Sequence, residues 1–121
     1  SIQKQIQIGP DRVRRCDEIV EIAGIDPATG NIMVNTVFEY DPVADDFTYT
    51  GRSQVLGDIA AFHGWGPDKL IEEMNRRKMV LQSVKDQNIR DYVSFTKVIQ
   101  AYYIDKQNVI EHLDDLASLV A

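Results

Sequence analysis

The sequence predicts an α+β protein, with an N-terminal antiparallel β-meander of three to four strands followed by a bundle of about four helices. Before Gly51, β-branched and aromatic residues fall between turns rich in Gly, Pro and Asp, which is typical of strands and hairpins. After Gly51, apolar residues recur at three-to-four spacing, which indicates amphipathic helices. We therefore expect a strand segment at residues 1–52 and a helical subdomain at residues 53–121.

Each predicted strand is bounded by turn-forming residues. Gly9 and Pro10 end the first strand, and Gly24 is expected to end the second. Between the second and third strands, Pro27 presets one turn dihedral and Gly30 can adopt positive φ, so we expect a hairpin. The strands are expected at about residues 2–8, 13–22, 32–40 and 47–50.

The helices are predicted from their caps and their apolar spacing. Ser53 is a candidate N-cap and Gly64 is placed to end the first helix. Pro67 suits the first turn of the second helix, and Asp91 and Asp105 precede the third and fourth. The second helix is expected to bury a stripe formed by Leu70, Ile71, Met74, Leu81 and Val84. It is expected to carry exposed ion pairs among Glu72, Glu73, Arg76 and Arg77.

Composition excludes several classes of function. The formal net charge of −6 argues against nucleic acid as a partner, because such binding depends on clustered Lys and Arg. One cysteine, Cys16, excludes an internal disulfide and a cysteine-based zinc site. We predict no metal ligands and no catalytic residues. Apolar stretches are too short to cross a bilayer, so we expect a cytoplasmic protein without direct membrane insertion.

The order of several motifs resembles the C-terminal region of archaeal type II/IV secretion ATPases, the family that drives type IV pili and archaella. The resemblance covers roughly the first hundred residues. The motifs that carry it are Arg14-Arg15-Cys16-Asp17-Glu18, Asp26-Pro27-Ala28-Thr29-Gly30, Tyr40-Asp41-Pro42, Thr50-Gly51-Arg52-Ser53, Asn88-Ile89-Arg90-Asp91-Tyr92 and Ala101-Tyr102-Tyr103. The chain contains no G-x-x-x-x-G-K-[ST] loop for nucleotide phosphates. We therefore expect the function to belong to a larger parent protein.

The resemblance implies a specific parent. It would be a hexameric ring that uses ATP and Mg²⁺ to drive pilin or archaellin assembly through a membrane platform protein. The chain itself would bind neither ATP nor Mg²⁺ and would not hydrolyse ATP. It would contact neighbouring subunits and the platform protein at the inner face of the cell membrane. The alternatives are a free-standing adaptor domain without catalytic activity, and an enzyme with a site around Arg14 and Arg52.

Three arginines are candidates for a site near nucleotide or between subunits. The resemblance implies such a position for Arg14 and Arg15, whose guanidinium groups suit phosphate or carboxylate. Alternatively, one of the two faces solvent and the other pairs with Asp17, Glu18 or Glu21. Arg52 precedes a predicted helix N-terminus, which attracts anions. The competing interpretation is that Gly51 forms a turn and Ser53 a cap.

Three aromatic residues are candidates for partner contact. Trp65 lies in a predicted loop, where a rigid ring can anchor an interface or cap the local core. Tyr102 and Tyr103 are adjacent on a predicted helix and therefore point to different faces, so that one is expected in the core and the other at the surface. The acidic turn formed by Asp41, Asp45 and Asp46 lacks the register of a calcium loop and is expected to be a solvated turn.

Overall fold

A computed structural model describes residues 2–120 of the protein, with side chains from residue 4 onward, and confirms the predicted α+β class. The chain forms two compact units that divide after Gly64, here named the sheet unit and the helical unit. The predicted division at residue 52 marks the change from strand to helix, and α1 belongs to the sheet unit. The elements are β1 Ile2–Ile8, β2 Asp11–Ile25, β3 Ile32–Asp41, β4 Asp46–Tyr49, α1 Gln54–His63, α2 Pro67–Asp86, α3 Tyr92–Ile104, α4 Lys106–Glu111 and α5 Ala117–Val120.

The sheet is a meander in which β1, β2, β3 and β4 pair in sequence order, each antiparallel to the next. The turn between β2 and β3 forms as predicted. Asp26 N–H donates to Asn31 O at 2.8 Å, and Gly30 N–H donates to Asp26 O at 2.8 Å. Gly30 has a φ of 73°, which L side chains rarely adopt.

Gly24 does not end β2, contrary to the prediction. The strand continues to Ile25, and Gly24 pairs with Met33 at a register shift. Its φ of 148° is accessible to glycine, so the chain accommodates a bulge and stays in the ladder. A glycine in a strand pattern therefore marks an irregularity here, and the turn itself begins at Asp26.

The capping residues of α1 are those predicted. Ser53 has extended backbone geometry, and its Oγ accepts a hydrogen bond from Leu56 N–H at 3.0 Å. Gly64 has a φ of 69° and ends the helix in the left-handed conformation. Ala60 is the buried residue of this helix, and Val37 is buried within the sheet.

The helical unit is built around a small aliphatic and aromatic core. Its buried members are Val80, Val84, Val98, Tyr102, Val109 and Leu116. The predicted stripe on α2 is correct for Val84, but Ile71 and Leu81 are 46% and 49% exposed. Glu73 and Val80 are buried in their place, each at 3% exposure. The buried face therefore follows positions 73, 80 and 84, which share one side of a helix.

The last predicted helix is broken into α4 and α5 by turns at residues 112–116. Gln87, just beyond α2, explains how the break is tolerated. Its Nε2 donates to Leu113 O at 2.6 Å, and its Oε1 accepts from Leu116 N–H at 2.9 Å. The side chain thus satisfies backbone groups that a continuous helix would have paired internally.

Candidate functional site

The helical unit contains a buried carboxylate held by four donors. Glu73 accepts hydrogen bonds from Arg76 at 3.2 Å and from Arg77 at 2.8 Å, both on its own helix. Lys106 Nζ, at the start of α4, donates to it at 2.7 Å, and the Tyr102 hydroxyl of α3 donates as well. We call these five residues the Glu73 cluster. Of the ion pairs predicted on an exposed face of α2, those of Arg76 and Arg77 form with Glu73, whose carboxylate is buried.

Glu73 remains ionised in this environment. Burial disfavours the charged form, but hydrogen bonds from Lys106, Tyr102 and the two arginines outweigh that cost and lower its pKa to about 2. Burial and the bond to Glu73 raise the pKa of Tyr102 above its usual range. At neutral pH the cluster therefore combines one carboxylate with three cations and a protonated phenol.

The predicted aromatic candidates lie in or beside this cluster: Tyr102 is a member of it, and Tyr103 and Trp65 contact its cations. The guanidinium carbon of Arg77 is 5.7 Å from the Tyr102 ring centroid and 5.6 Å from that of Tyr103. Lys106 Nζ is 6.0 Å from the Trp65 ring centroid. These distances are typical of cation–π contacts. As expected for adjacent helical residues, Tyr102 is buried at 7% exposure, whereas Tyr103 is 70% exposed.

An apolar groove adjoins the cluster between α2 and α3. Its volume is about 180 Å³. Its lining residues are Arg77, Val80, Leu81, Ile99, Tyr102 and Tyr103. The charge along α2 is positive here, because this helix carries four cations and no acidic residue between Glu73 and Asp86. A chain with net charge −6 therefore presents a locally cationic, apolar surface here.

In the sheet unit, Arg15 forms a bidentate ion pair with Asp45. Its Nε and Nη2 donate to the two carboxylate oxygens at 2.8 and 3.1 Å, and Tyr40 OH donates to the same group at 2.7 Å. The hydrogen bond from Arg15, followed by that from Tyr40, lowers the pKa of Asp45 to about 2. The acidic partner of Arg15 is thus Asp45 and none of the nearby acids on β2. Arg14 is exposed, and its carbonyl accepts from Arg15 Nη1 at 2.9 Å.

The N-terminus of α1, beside Arg52, is filled by a carboxylate of the protein itself. Glu21 accepts from Ser53 Oγ at 2.8 Å and from the backbone N–H groups of Gln54 and Val55. Asn35 also donates to it at 3.0 Å, and this bond, followed by those from Gln54 and Ser53, lowers the pKa of Glu21 to about 2.

Arg52 is exposed, and Gly51 before it adopts a φ of 79°, which agrees with the turn-and-cap interpretation. Glu21 thus accepts the hydrogen bonds that a helix N-terminus otherwise offers to an anion.

Two carboxylates of the acidic turn, those of Asp41 and Asp46, accept hydrogen bonds from nearby backbone groups. Asp41 accepts from the backbone N–H groups of Val43 and Ala44, and Asp46 accepts from Phe47 N–H. Across residues 2–120, no three His, Cys, Asp or Glu side chains gather closely enough to hold a metal ion. Nor does any helix in that range combine the length and the apolar character needed to cross a membrane.

Sequence reasoning missed Glu73 and Lys106 as members of the site. The available signal was the position of Glu73 seven residues before Val80, which places both on one helix face. A carboxylate on a buried helix face needs a cation or hydrogen-bond donor as a partner. The sequence shows one such partner in Arg77, four residues after Glu73. Lys106 and Tyr102 are about thirty residues away in sequence, and only the fold brings them to the carboxylate.

Comparison with known proteins shows the class to which such a sheet-and-helix domain belongs. The family described as "PilB3-like, C-terminal" matches residues 44–120, and the chain belongs to this family. The match covers β4, α1 and all of the described helical unit. It confirms a C-terminal region related to type IV pilus and secretion ATPases.

Two archaeal proteins are similar to this chain. The uncharacterized protein MJ1287 of Methanocaldococcus jannaschii is 35% identical over 72 residues, which cover 60% of this chain and 27% of that protein. The uncharacterized protein MJ0900 of the same organism is 30% identical over 95 residues, which cover 75% of this chain and 17% of that protein. The chain therefore spans about a quarter or less of the length of these relatives.

Proposed function

We propose that this chain is the C-terminal domain of a motor ATPase that assembles pili or secretes proteins, and that its role is contact with other proteins. The observation that carries the proposal is the family match over residues 44–120. The groove beside the Glu73 cluster supports a contact role, since it combines exposed apolar and aromatic side chains with cations held in place.

Catalysis belongs to other parts of the parent in this proposal. Phosphoryl transfer needs a phosphate cradle, a metal and positioned cations. In this chain the N-terminus of α1 is bound to Glu21, and Arg15 is bound to Asp45. ATP and Mg²⁺ would therefore bind elsewhere in the parent. The exposed Arg14 and Arg52 remain candidates for a position between subunits or near the nucleotide of a ring.

The partners in this proposal are neighbouring subunits of a hexameric archaeal ring and a membrane platform protein. The domain would act in the cytoplasm at the inner face of the cell membrane, reached through the assembly. The net charge of the chain is negative, whereas α2 is positively charged beside the groove. This difference supports selective contact with proteins, because complementary charge steers association.

The proposal is tested on the complete product of the gene that encodes this chain. We expect the purified product to hydrolyse ATP in the presence of Mg²⁺. We expect cells in which residues 65–120 are deleted in frame to lose surface filaments or secretion while the shortened protein remains present. A single substitution at the exposed Glu72, Glu72→Gln, serves as the control and should leave filaments unchanged. A complete product without ATP hydrolysis would overturn the proposal in favour of a free-standing adaptor.

A further inference from the structure

We propose that the groove between α2 and α3 binds a segment of a partner protein in which an apolar side chain lies next to a carboxylate. This inference rests on the proposed contact role and specifies the chemistry of the partner.

The size of the groove favours a side chain over a cofactor. At about 180 Å³ it is smaller than the roughly 300–1,000 Å³ typical of small-molecule pockets. Its walls are apolar, with Leu81 49% exposed and Tyr103 70% exposed. Burial of such surface under an apolar anchor would be favourable, and aromatic walls are typical of protein contact sites.

The positive charge around the groove favours a partner segment in which a carboxylate lies next to the apolar side chain. Arg77 donates a hydrogen bond to Glu73 through Nε, and its side chain is 50% exposed. A guanidinium group carries five N–H donors, so further donors remain for a carboxylate. Lys78 and Lys85 are exposed on the same helix, and no acid lies between Glu73 and Asp86.

The Glu73 cluster fixes Arg77 before any partner arrives. The bond to Glu73 and the contacts with the rings of Tyr102 and Tyr103 hold the guanidinium beside the groove. A cation held in place loses less conformational entropy on binding than a free one. The buried carboxylate is therefore a positioning group for a surface arginine.

A protein segment fits these features better than an anionic membrane. The groove is concave, whereas a membrane meets a protein over a broad convex or flat surface. The chain also carries a net charge of −6, so the rest of its surface would be repelled by anionic lipid. A short segment can place one carboxylate at Arg77 without meeting that surface.

The test uses the 121-residue chain and two labelled peptides. One has a central leucine–phenylalanine pair flanked by glutamates, and the other has glutamines in their place. We expect the acidic peptide to bind about tenfold more tightly at low salt, a preference that falls as salt rises. Fluorescence anisotropy gives the affinities, and emission of Trp65, the only tryptophan, reports changes near Lys106.

Matched variants locate the binding site. Tyr103→Ala removes a wall of the groove and should weaken the acidic peptide about tenfold or more. Tyr92→Ala removes a tyrosine that is 82% exposed on the same helix, and it should leave binding unchanged. The double substitution of Lys78→Gln and Lys85→Gln should reduce the preference for the acidic peptide without removing a partner of Glu73.

Several results would overturn the inference. These are equal affinity for the two peptides, equal weakening by Tyr92→Ala and Tyr103→Ala, or binding to vesicles rich in anionic lipid without binding to the peptide. The assay does not require an ATPase parent. If the peptide binds but the complete product does not hydrolyse ATP, the groove is a binding site and the motor assignment is wrong. If the complete product hydrolyses ATP but the peptide does not bind, the motor assignment holds and the inference about the groove is wrong.

Discussion

The Tyr102 hydroxyl donates a hydrogen bond to the carboxylate of Glu73 and so joins α3 to α2 inside the helical unit. Both residues are buried, and the carboxylate is also bound by Lys106 of α4. One ionised side chain thus connects three helices whose apolar core is small. Such a polar group favours this arrangement of the helices, because another packing would remove the hydrogen bonds from Tyr102 and Lys106 to the buried carboxylate.

Replacement of Glu73 should destabilise the helical unit. Glu73→Gln removes the charge but keeps the size of the side chain, and leaves three cations without their anion. We expect a loss of about 2–3 kcal/mol in the free energy of unfolding, below the roughly 3–5 kcal/mol typical of a fully buried pair because the cations are partly exposed. Urea unfolding followed by Trp65 fluorescence measures it.

Glu72→Gln is the matched control for this experiment. Glu72 is exposed on the same helix, and its replacement should change the free energy of unfolding by less than about 0.5 kcal/mol. Equal effects of the two substitutions would show that the buried position of Glu73 does not matter for stability.

The two adjacent tyrosines should respond differently to loss of the hydroxyl. Tyr102→Phe removes a donor to a buried carboxylate and should cost about 1–2 kcal/mol. Tyr103→Phe changes a side chain that is 70% exposed and should cost almost nothing. The same unfolding assay compares them, and a larger loss for Tyr103→Phe would contradict the assigned hydrogen bond.

The stability of the helical unit should fall in acid. The pKa of Glu73 is about 2 in the folded chain and near its ordinary value of 4.5 when unfolded, so the unfolded state binds the proton more readily. The stabilisation is therefore complete above about pH 5 and is lost as pH falls from there towards 2. Unfolding measured across this range should show a steep fall in the natural chain and a shallower one in Glu73→Gln. Parallel pH profiles would show that other carboxylates cause the fall.

Much of the fold was predictable because its signals are local. The side chain of Ser53 caps the helix that follows it, and Gly64 ends that helix through its own backbone freedom. The hairpin at Asp26 likewise depends on bonds within six residues. Turn residues and apolar spacing then predicted three to four strands and the main helices.

The site was less predictable because its bonds join distant residues. Glu73 looked like a surface acid, since nothing near it in sequence shows that Lys106 and Tyr102 will reach it. The break in the last helix had the same origin, because Gln87 supplies the hydrogen bonds that permit it. Arg15 had three acids close by on its own strand, yet its partner lies thirty residues away at Asp45.

Glu21 should hold the first turn of α1 in place. Its carboxylate binds Ser53 Oγ and the backbone N–H groups of Gln54 and Val55, which would otherwise lack helical partners. We expect Glu21→Gln to speed hydrogen exchange at the amides of Gln54 and Val55, measured by NMR, because a neutral amide is a weaker acceptor. Glu39→Gln, on the neighbouring strand, is the control and should leave both amides as protected as before.

Two glycines around α1 should give opposite results when changed to alanine. Gly64 has a φ of 69°, so Gly64→Ala forces a strained conformation and should cost about 1 kcal/mol. Gly57 lies inside α1, and an added Cβ would meet no atom within 4 Å beyond its chain neighbours and the adjacent helix backbone. Gly57→Ala should therefore stabilise by about 0.5–1 kcal/mol through higher helix propensity. Thermal unfolding followed by circular dichroism measures both. A gain at Gly64 would mean that α1 does not end in the left-handed conformation, and a loss at Gly57 would mean that this side of the helix is covered.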